Sequence, residues 1–331
     1  MASLPSKRLV FREKQRVECE SCELEDPGPG EVLVRVGHSL MSTGTENIVF
    51  NQLYAPGTHW DHWVKFPFYP GYAAAGVVAA VGEGVESPQP GERVAVRCPH
   101  GAHALVKAES CYPVPDSVPL EQAVWFALAK IAFQGRCAAE YRAGDDVAVI
   151  GAGPIGQMSL RWARANGAAR VVVIDPVPER ERFAQAGGAH AYFAAPADKA
   201  KPGVEAALGG LPRVVVDSTG HAAVFAAALG LAAQKGHVVV LGDTGHPAEQ
   251  HLTSDVIMKG LTIAGAHDGT KFTGWDEPSA VRYFFQLVED GRFPLGELNT
   301  HRFGPGEAAE AYATANRERA QTMGLIFDWN E

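Results

Sequence analysis

The stretch VAVIGAGPIG, residues 147–156, restricts the possible folds of this chain more than any other segment. It begins as an apolar strand and ends in glycines with the spacing G-x-G-x-x-G. The helix predicted to follow carries Ile155, Met158 and Trp162 on one face, as a helix packed against a sheet requires. A strand, a glycine loop and a helix in this order are typical of a dinucleotide-binding βαβ unit.

The three glycines of this loop each meet a different requirement of dinucleotide binding. Gly151 allows the tight turn, Gly153 lets the backbone approach a pyrophosphate, and Gly156 lets the helix pack against the strand. Pro154 and Ile155 start the helix, whose free backbone N–H groups then point towards the phosphates. We therefore predict that these residues bind the cofactor.

Asp175 ends the next predicted strand, 24 residues after Gly151. A carboxylate at this place accepts hydrogen bonds from the adenosine ribose hydroxyls and repels a 2′-phosphate. This residue therefore favours NAD(H) over NADP(H) as cofactor. It can also serve as the N-cap of the following helix, in which Arg180 and Arg182 are expected to face solvent.

The pattern of predicted secondary structure changes after the first third of the sequence. Residues 1–115 contain short alternating runs broken by Gly and Pro, which indicates a β-rich domain. The rest alternates apolar strands with helices, which indicates a parallel sheet covered on both faces. Two later strands of that sheet end in DSTG, 217–220, and LGDTG, 241–245. Ser218 and Gly242 are therefore expected near the nicotinamide, unless these loops are plain strand-to-helix turns.

The composition of the 331 residues excludes several classes of partner. A formal net charge of −9 argues against DNA or RNA. No apolar run reaches the length of a membrane helix, and the N-terminus lacks the apolar core of a secretory signal. Five cysteines in a chain of this length give no disulfide framework, so we expect a cytoplasmic protein that binds a small molecule.

A β-rich region followed by the dinucleotide motif resembles the medium-chain dehydrogenase/reductase superfamily over nearly the whole chain. The shared landmarks are PGEVLV (29–34), VGEGV (81–85), PGERV (90–94), GDDVAVIGAGPIG (144–156) and THRF (300–303). The resemblance implies an α/β fold with a GroES-like β-rich catalytic domain, residues 1–127 and 268–331, and a Rossmann doubly wound parallel-sheet domain, residues 128–267. It also implies a homodimer.

The resemblance further implies that zinc is not bound at the places where zinc-dependent members hold it. Those members carry Cys-Gly-Ser/Thr-Asp where this chain reads Thr43 to Glu46, so a threonine replaces the first ligand. They carry Gly-His-Glu where this chain reads Gly71 to Ala73, so Tyr72 replaces the second zinc ligand. Their third zinc ligand falls near Ala127. None of these three side chains is a useful zinc ligand. The segment RCPHGAHAL, 97–105, runs through the place of the structural zinc lobe.

One zinc-free branch is similar in these features: the bacteriochlorophyllide a dehydrogenase-like and threonine dehydrogenase-like proteins. The shared segments are STGTE (42–46), PGY (70–72) and ALA (127–129). The bacteriochlorophyllide a enzymes oxidise a secondary alcohol, although the likeness does not imply a pigment as substrate here.

Tyr72 is the first candidate to replace the zinc in proton transfer. A free phenol has a pKa of about 10, so it is a ready acid for reduction but a poor base for oxidation. A nearby cation would lower that pKa, and Lys130 is the candidate to supply it. Thr45 matches a proton-relay residue of the family, and Thr43 and Ser42 are candidates either to hydrogen-bond substrate or to cap the next turn. Alternatively, Tyr72 fills the space left by zinc and Lys130 reaches solvent. Glu46 either contacts substrate or fixes its loop as a cap or in a salt bridge.

The aromatic segment 51–70 is expected to border the substrate cleft. His59, Trp60 and His62 can stack on a planar ligand or line the cleft wall, and a dimer contact is an alternative. His267, after the last strand of the cofactor sheet, is a candidate acid or base, or a structural histidine.

Three functions are compatible with these features. The first is a zinc-independent, NAD-dependent dehydrogenase of a secondary alcohol, in particular of a sugar, cyclitol or other polyhydroxyl compound. The second is a zinc-free reductase of enones or quinones, a class that usually takes NADPH. The third, from another class, is a non-catalytic nucleotide-binding protein.

Overall fold

The computed structural model describes residues 3–270 and 274–330 of the chain. The strands in this described part are β1 (Ser3–Glu13), β2 (Arg16–Glu25), β3 (Glu31–Leu40), β4 (Ala74–Val81), β5 (Arg93–Val96), β6 (His103–Lys107), β7 (Cys111–Pro113), β8 (Asp146–Ile150), β9 (Arg170–Ile174), β10 (Ala191–Phe193), β11 (Val214–Asp217), β12 (His237–Val240), β13 (Thr262–Gly265), β14 (Asn299–Phe303) and β15 (Gly324–Asp328). The α-helices are α1 (Thr43–Asn51), α2 (His59–Trp63), α3 (Leu120–Ala123), α4 (Phe126–Ala139), α5 (Pro154–Ala165), α6 (Glu181–Ala186), α7 (Lys201–Leu208), α8 (Ala222–Leu231), α9 (Asp255–Lys259), α10 (Glu277–Glu289) and α11 (Ala308–Arg317).

The first sheet is built from the β-rich N-terminal region and the end of the chain. Its order is β14-β15-β3-β4-β5-β7, and β6 also pairs with β3. All of its pairings are antiparallel except that of β14 with β15. β1 and β2 form a separate antiparallel ribbon. The C-terminal strands therefore complete the sheet that the N-terminal strands begin.

The second sheet is parallel and has the order β10-β9-β8-β11-β12-β13. Its central strands are continuous apolar runs buried on both faces, as a parallel sheet covered by helices requires. The chain order reverses beside β8, since β9 lies on one side of it and β11 on the other. Such a reversal opens a ligand crevice at the carboxyl ends of the strands. The predicted α/β class, with a β-rich part and a doubly wound sheet, is confirmed.

Helix α4 connects the two sheets. It lies in an apolar core that continues from Leu40 and Ala73 of the first sheet region to Val147 and Val149 of the second. Its side chains Phe126 and Phe133 are buried in that core, together with many alanines. The first sheet and α11 enclose a second core, and α8 covers the other face of the parallel sheet. No helix in the described part of the chain has both the length and the hydropathy of a membrane span.

Candidate active site

The glycine loop has the backbone geometry that its sequence predicts. Gly151 has a φ of 91°, and a Cβ there would lie 2.7 Å from the Ser218 hydroxyl oxygen. A Cβ on Gly156 would lie 1.8 Å from the carbonyl oxygen of Gly151, so only glycine allows α5 to start this close to the strand. A Cβ on Gly153 would meet no atom within 4 Å. The open space above Gly153 fits the close approach of a pyrophosphate.

The helix that follows this loop starts as expected. Pro154 occupies the first turn of α5, where its missing N–H costs no hydrogen bond. Ile155 packs against the large core, so it anchors the helix. The N-terminus of this helix, which has 12 residues, therefore faces the crevice with unpaired N–H groups.

Asp175 is more constrained than its sequence position suggests. The carboxylate is 4% exposed. It accepts hydrogen bonds from the backbone N–H groups of Ala152, at 2.7 Å, and Val177, at 2.9 Å. Arg180 also donates to it, at 3.0 Å, and to the carbonyl of Arg319, at 2.8 Å. The expectation that Arg180 faces solvent is therefore wrong, because this guanidinium balances the Asp175 charge.

The two loops expected on the nicotinamide side pack against each other. The Ser218 hydroxyl donates to the Ile150 carbonyl, at 2.8 Å, at the end of the central strand. A Cβ on Gly242 would lie 2.4 Å from the backbone nitrogen of Thr219. Ser218 therefore holds the strand end before Gly151, and Gly242 permits the close packing of the neighbouring loop. Both residues shape the crevice through the backbone.

The hydroxyl-rich stretch at 42–46 is the start of a helix and not a loop. Ser42 is the N-cap residue of α1, but its side chain makes no cap hydrogen bond. Thr43 and Thr45 lie half-buried in the first turn. Because the Ser42 hydroxyl does not cap the helix, it is free to bond elsewhere.

The Ser42 hydroxyl contacts the phenol of Tyr72. The two oxygens are 2.5 Å apart. The Arg97 guanidinium lies over the Tyr72 ring, 5.0 Å from its centroid. Burial raises the pKa of the Tyr72 phenol, while hydrogen bonds from Ser42 and Thr45 and the charge of Arg97 act in the opposite direction. The phenol therefore keeps its proton at neutral pH and can donate it.

Lys130 does not supply the cation beside Tyr72, contrary to the prediction. Its side chain is 4% exposed, and its ammonium group lies 2.7 Å from the carboxylate of Glu277 and 3.1 Å from that of Asp268. A buried ammonium group needs such counter-ions. It therefore does not reach solvent either, which was the alternative expectation. The cation that faces Tyr72 is Arg97.

These charges belong to one cluster that joins the two sheets. Arg97, which follows β5, pairs with Asp268, which follows β13. The hydroxyl of Tyr112, on β7, donates to Glu277 of α10, and burial raises the pKa of that phenol. Two cations and two carboxylates balance within this cluster, so its net charge is zero.

Glu46 is buried and bonded to groups within the protein. Its side chain is 2% exposed, and it accepts a hydrogen bond from the backbone N–H of Ser42, at 2.7 Å. The imidazole of His100 lies 3.1 Å from the carboxylate, and the Tyr312 hydroxyl donates to it. The alternative expectation, in which Glu46 fixes its segment, describes its contacts.

The aromatic segment is folded around the short helix α2. Trp60 is 3% exposed and belongs to the core of the first sheet, so it is not part of a cleft wall. The His62 ring bonds the carbonyl of Thr58 on its own helix, at 2.7 Å. His59 lies 2.9 Å from the carboxylate of Asp243, in the loop after β12. Among the three aromatic candidates, His59 therefore makes the contact with the cofactor sheet.

A backbone hydrogen bond also joins this aromatic segment to the loop after β12. The Ala55 N–H donates to the carbonyl of Gly245, at 2.8 Å. A Cβ on Gly245 would lie 1.9 Å from the Leu53 carbonyl oxygen. The segment between α1 and α2 therefore lies directly on the loop after β12, at the mouth of the crevice.

His267 is exposed, and its ring nitrogen accepts a hydrogen bond from the N–H of Gly269, at 3.1 Å. The neighbouring Asp268 enters the charged cluster instead.

The residues at the three family positions for zinc do not fit the metal. Thr43, Tyr72 and Ala127 offer no thiolate, imidazole or carboxylate. In residues 3–270 and 274–330, no group of three or more His, Cys, Asp or Glu side chains has the arrangement to hold a metal ion.

Sequence reasoning missed three residues that surround this site: Arg97, His100 and Asp268. From the sequence, the segment RCPH, 97–100, is notable only because it runs through the place of the structural zinc lobe. Its signal was the placement of a cation and a histidine directly after an apolar strand. Asp268 lies beside His267, so the predicted loop carries a side chain of the charged cluster that the sequence did not single out.

Two family models match this chain, one for each sheet. The family described as "Alcohol dehydrogenase GroES-like domain" matches residues 28–116, and the family described as "Zinc-binding dehydrogenase" matches residues 154–285. The first range contains β3 to β7 of the first sheet, and the second contains β9 to β13 of the parallel sheet.

Similar proteins cover the chain almost completely. L-threonine 3-dehydrogenase of Bacillus subtilis is 29% identical over 82% of this chain and 84% of its own length. Sorbitol dehydrogenase of Bos taurus is 28% identical over 98% of this chain and 96% of its own. A solved alcohol dehydrogenase from E. coli CFT073, complexed with NADH, covers 98% of this chain and 99% of its own, with a TM-score of 0.82 at 21% identity.

The solved structure supports the fold alone, whereas the two family matches identify both domains. The chain is therefore an oxidoreductase that belongs to the medium-chain dehydrogenase/reductase family.

Proposed function

We propose that this protein transfers a hydride between NAD(H) and a secondary alcohol or ketone without zinc, and that Tyr72 donates the proton to the ketone oxygen. The observation that carries the proposal is the 2.5 Å contact between the Tyr72 and Ser42 hydroxyls beside Arg97. Tyr72 stands where zinc-dependent relatives place a metal ligand. The residues at that position thus offer a proton and a nearby cation in place of a Lewis acid.

The cofactor half of the site fits a nicotinamide dinucleotide. Gly151 and Gly153 leave room for the pyrophosphate, and the N-terminus of α5 favours its negative charge. When bound, the dinucleotide supplies or accepts the hydride. Asp175 supports NAD(H), because its carboxylate ends β9 where the adenosine ribose is expected.

The protein's own part in ketone reduction is to supply one proton. Tyr72 loses that proton to the carbonyl oxygen while the carbonyl carbon gains the hydride, and the product is the secondary alcohol. Ser42 donates a hydrogen bond to the resulting phenolate, and the Arg97 charge stabilises it further. Solvent then returns the proton to Tyr72. In alcohol oxidation, the same groups act in reverse.

The substrate class that we propose is a sugar, cyclitol or other polyhydroxyl compound. Thr43, Thr45 and the exposed His59 supply hydrogen-bonding groups around the cleft. The likeness to a sorbitol dehydrogenase supports the same class. A polyol needs several such partners, since unmatched hydroxyls would lose their hydrogen bonds to water.

Reduction of an enone or quinone is the second candidate. The ion pair of Arg180 with Asp175 favours it, because a neutralised carboxylate repels the 2′-phosphate of NADPH less strongly. With an enone, Tyr72 would protonate the carbon next to the carbonyl group while the β-carbon gains the hydride, and with a quinone it would protonate an oxygen.

We also propose a cytoplasmic homodimer that pairs along β13. This strand is at the edge of the parallel sheet, and edge strands present unpaired backbone groups. Next to it, Leu252, Ile257 and Met258 are 63%, 87% and 75% exposed. A second copy would cover these side chains and extend the sheet about a twofold axis. An Ile257→Asp, Met258→Asp variant should then be a monomer by light scattering, and an unchanged mass would contradict this surface.

The proposed activity is tested by kinetics of Tyr72→Phe against a matched control. We expect turnover with NADH on a panel of ketoses and other ketones. Tyr72→Phe should reduce kcat by about 10²–10⁴-fold, the range of general acid catalysis, with NADH affinity unchanged. Tyr69→Phe removes a phenol from the same segment, bonded to Arg8, and should keep full activity. NADH binding without turnover on any substrate would instead favour a non-catalytic protein.

A further inference from the structure

The carboxylate of Glu46 is held in one orientation by three donors. These are the backbone N–H of Ser42, at 2.7 Å, the His100 imidazole, at 3.1 Å, and the Tyr312 hydroxyl. Burial raises the pKa of that tyrosine, so it remains a donor. A carboxylate that is 2% exposed needs such bonds, because an unpaired buried charge is very costly. Its orientation in turn fixes the backbone at Ser42.

The imidazole of His100 is completely buried and also held on its other side. Its Nδ1 lies 2.7 Å from the hydroxyl oxygen of Ser39, which accepts a hydrogen bond from the Trp329 indole at 2.9 Å. The Glu46 carboxylate only accepts hydrogen bonds, so the Nε2 proton belongs to that contact, and Nδ1 of the neutral ring accepts from the Ser39 hydroxyl. Every polar atom of the ring then has a partner, and the ring cannot rotate without losing both bonds.

His100 also contacts the segment that carries Tyr72. Its backbone N–H donates to the Pro70 carbonyl, at 2.8 Å. Gly71 has a φ of 98°, and a Cβ there would lie 2.7 Å from Cγ of the His100 ring. The ring therefore lies directly against the backbone that precedes Tyr72. No other type of residue at position 71 would allow this approach.

His100 thus touches both segments whose side chains meet at the site. Through Glu46 it fixes Ser42, and through Pro70 and Gly71 it fixes Tyr72. We infer that His100 and Glu46 form a buried positioning pair that sets the contact between the Ser42 and Tyr72 hydroxyls, an inference that rests on the proposed function. The segment 97–100 then serves the site twice, with Arg97 over the phenol and His100 behind it.

The inference predicts that His100 acts on turnover only through Tyr72. His100→Leu, which loses the donor to Glu46, should lower kcat for ketone reduction by about tenfold to a hundredfold, with NADH affinity unchanged. His100→Gln keeps a donor and should recover most of the rate. In a Tyr72→Phe background, His100→Leu should change kcat by less than about twofold. An equal loss in both backgrounds would overturn the inference. His103→Gln, on β6, is the matched control.

A crystal structure of His100→Leu tests the same inference without any substrate, and His100→Gln serves if the leucine variant does not fold. In the leucine variant, we expect the two hydroxyls of Ser42 and Tyr72 to separate beyond hydrogen-bonding distance. In the glutamine variant, they should stay in contact. An unchanged contact in the leucine variant, or a separation in the glutamine variant with its amide still on Glu46, would overturn the pair. Full activity of Tyr72→Phe would overturn the proposed function alone.

Discussion

The glycine loop of the parallel sheet and the Ser42–Tyr72 contact of the first sheet differ in how the sequence specifies them. The glycine loop is specified by ten consecutive residues, 147–156, whose glycines allow its backbone conformation. The contact at Tyr72 joins residues 30 positions apart, and the Glu46 carboxylate behind it bonds Tyr312, 266 positions away. The first region is local, and the second exists only once both ends of the chain have folded together.

This difference has a consequence for tolerance to mutation. At Gly156 of the glycine loop, an added methyl group meets the carbonyl oxygen of Gly151, a backbone atom that cannot move aside. Around Tyr72, the fixed elements are hydrogen bonds and ion pairs between side chains, so the loss of one partner leaves another buried and unpaired. The following predictions use this contrast, and the largest expected effect comes first.

Replacing Lys130 with methionine tests the charged cluster behind the site. The variant leaves Asp268 and Glu277 without their shared ammonium group. We expect the free energy of unfolding to fall by about 3 kcal/mol, the lower end for a broken buried pair, since both carboxylates are partly exposed. Chemical denaturation measures this loss. The folded variant should retain kcat, because Arg97 is the cation beside Tyr72. A large loss of kcat with unchanged stability would restore Lys130 as a catalytic group.

Alanine substitutions at Gly153 and Gly156 separate the effect on folding from the effect on cofactor binding. Gly156→Ala should destabilise the protein by about 1–3 kcal/mol, because its methyl group overlaps the Gly151 carbonyl oxygen. Gly153→Ala should leave the melting temperature unchanged, since its methyl group enters open space, and should weaken NADH binding. Thermal denaturation and fluorescence titration measure the two effects. Equal melting temperatures for the two variants would contradict this assignment.

The pH dependence of ketone reduction reports the protonation state of Tyr72. Its pKa is raised, so the phenol is protonated below the ordinary tyrosine value of about 10. The raised pKa therefore keeps Tyr72 in its acid form at neutral pH. The stability linked to this proton is also complete at neutral pH, and it declines only as the pH rises through the pKa of the folded state. We expect kcat for reduction to be flat from neutral pH up to about pH 10. A decline centred near neutrality would contradict a tyrosine acid.

A substitution at Arg180 tests whether the Asp175 carboxylate sets the preference for NADH over NADPH. Arg180→Ala frees the charge of Asp175, so discrimination against NADPH should increase by roughly fivefold in the ratio of Kd values, about 1 kcal/mol. Titration with NADH and NADPH measures this ratio. Arg182→Ala, on the exposed side of α6, should leave it unchanged. A lower preference for NADH in Arg180→Ala would mean that Arg180 itself supports NADH binding.

The same contrast explains what could be predicted from the sequence. The glycine loop, Asp175 and the alternation of strands with helices are local patterns, and they gave the fold class and the cofactor crevice. The zinc ligand positions could be compared one by one, which made Tyr72 the candidate to replace the metal. The partners of Tyr72, Lys130 and Glu46 could not be predicted, because each contact joins distant segments. Trp60 is an example, since an aromatic segment does not reveal which of its rings faces a core.

The central claim is that a tyrosine takes the place of a catalytic zinc ion. The most direct test measures zinc content and NADH-dependent ketone reduction on the same chelator-treated sample. We predict full activity with far less than one zinc per chain, and no gain when zinc is added back. Activity that disappears with chelation and returns in proportion to added zinc would contradict the claim.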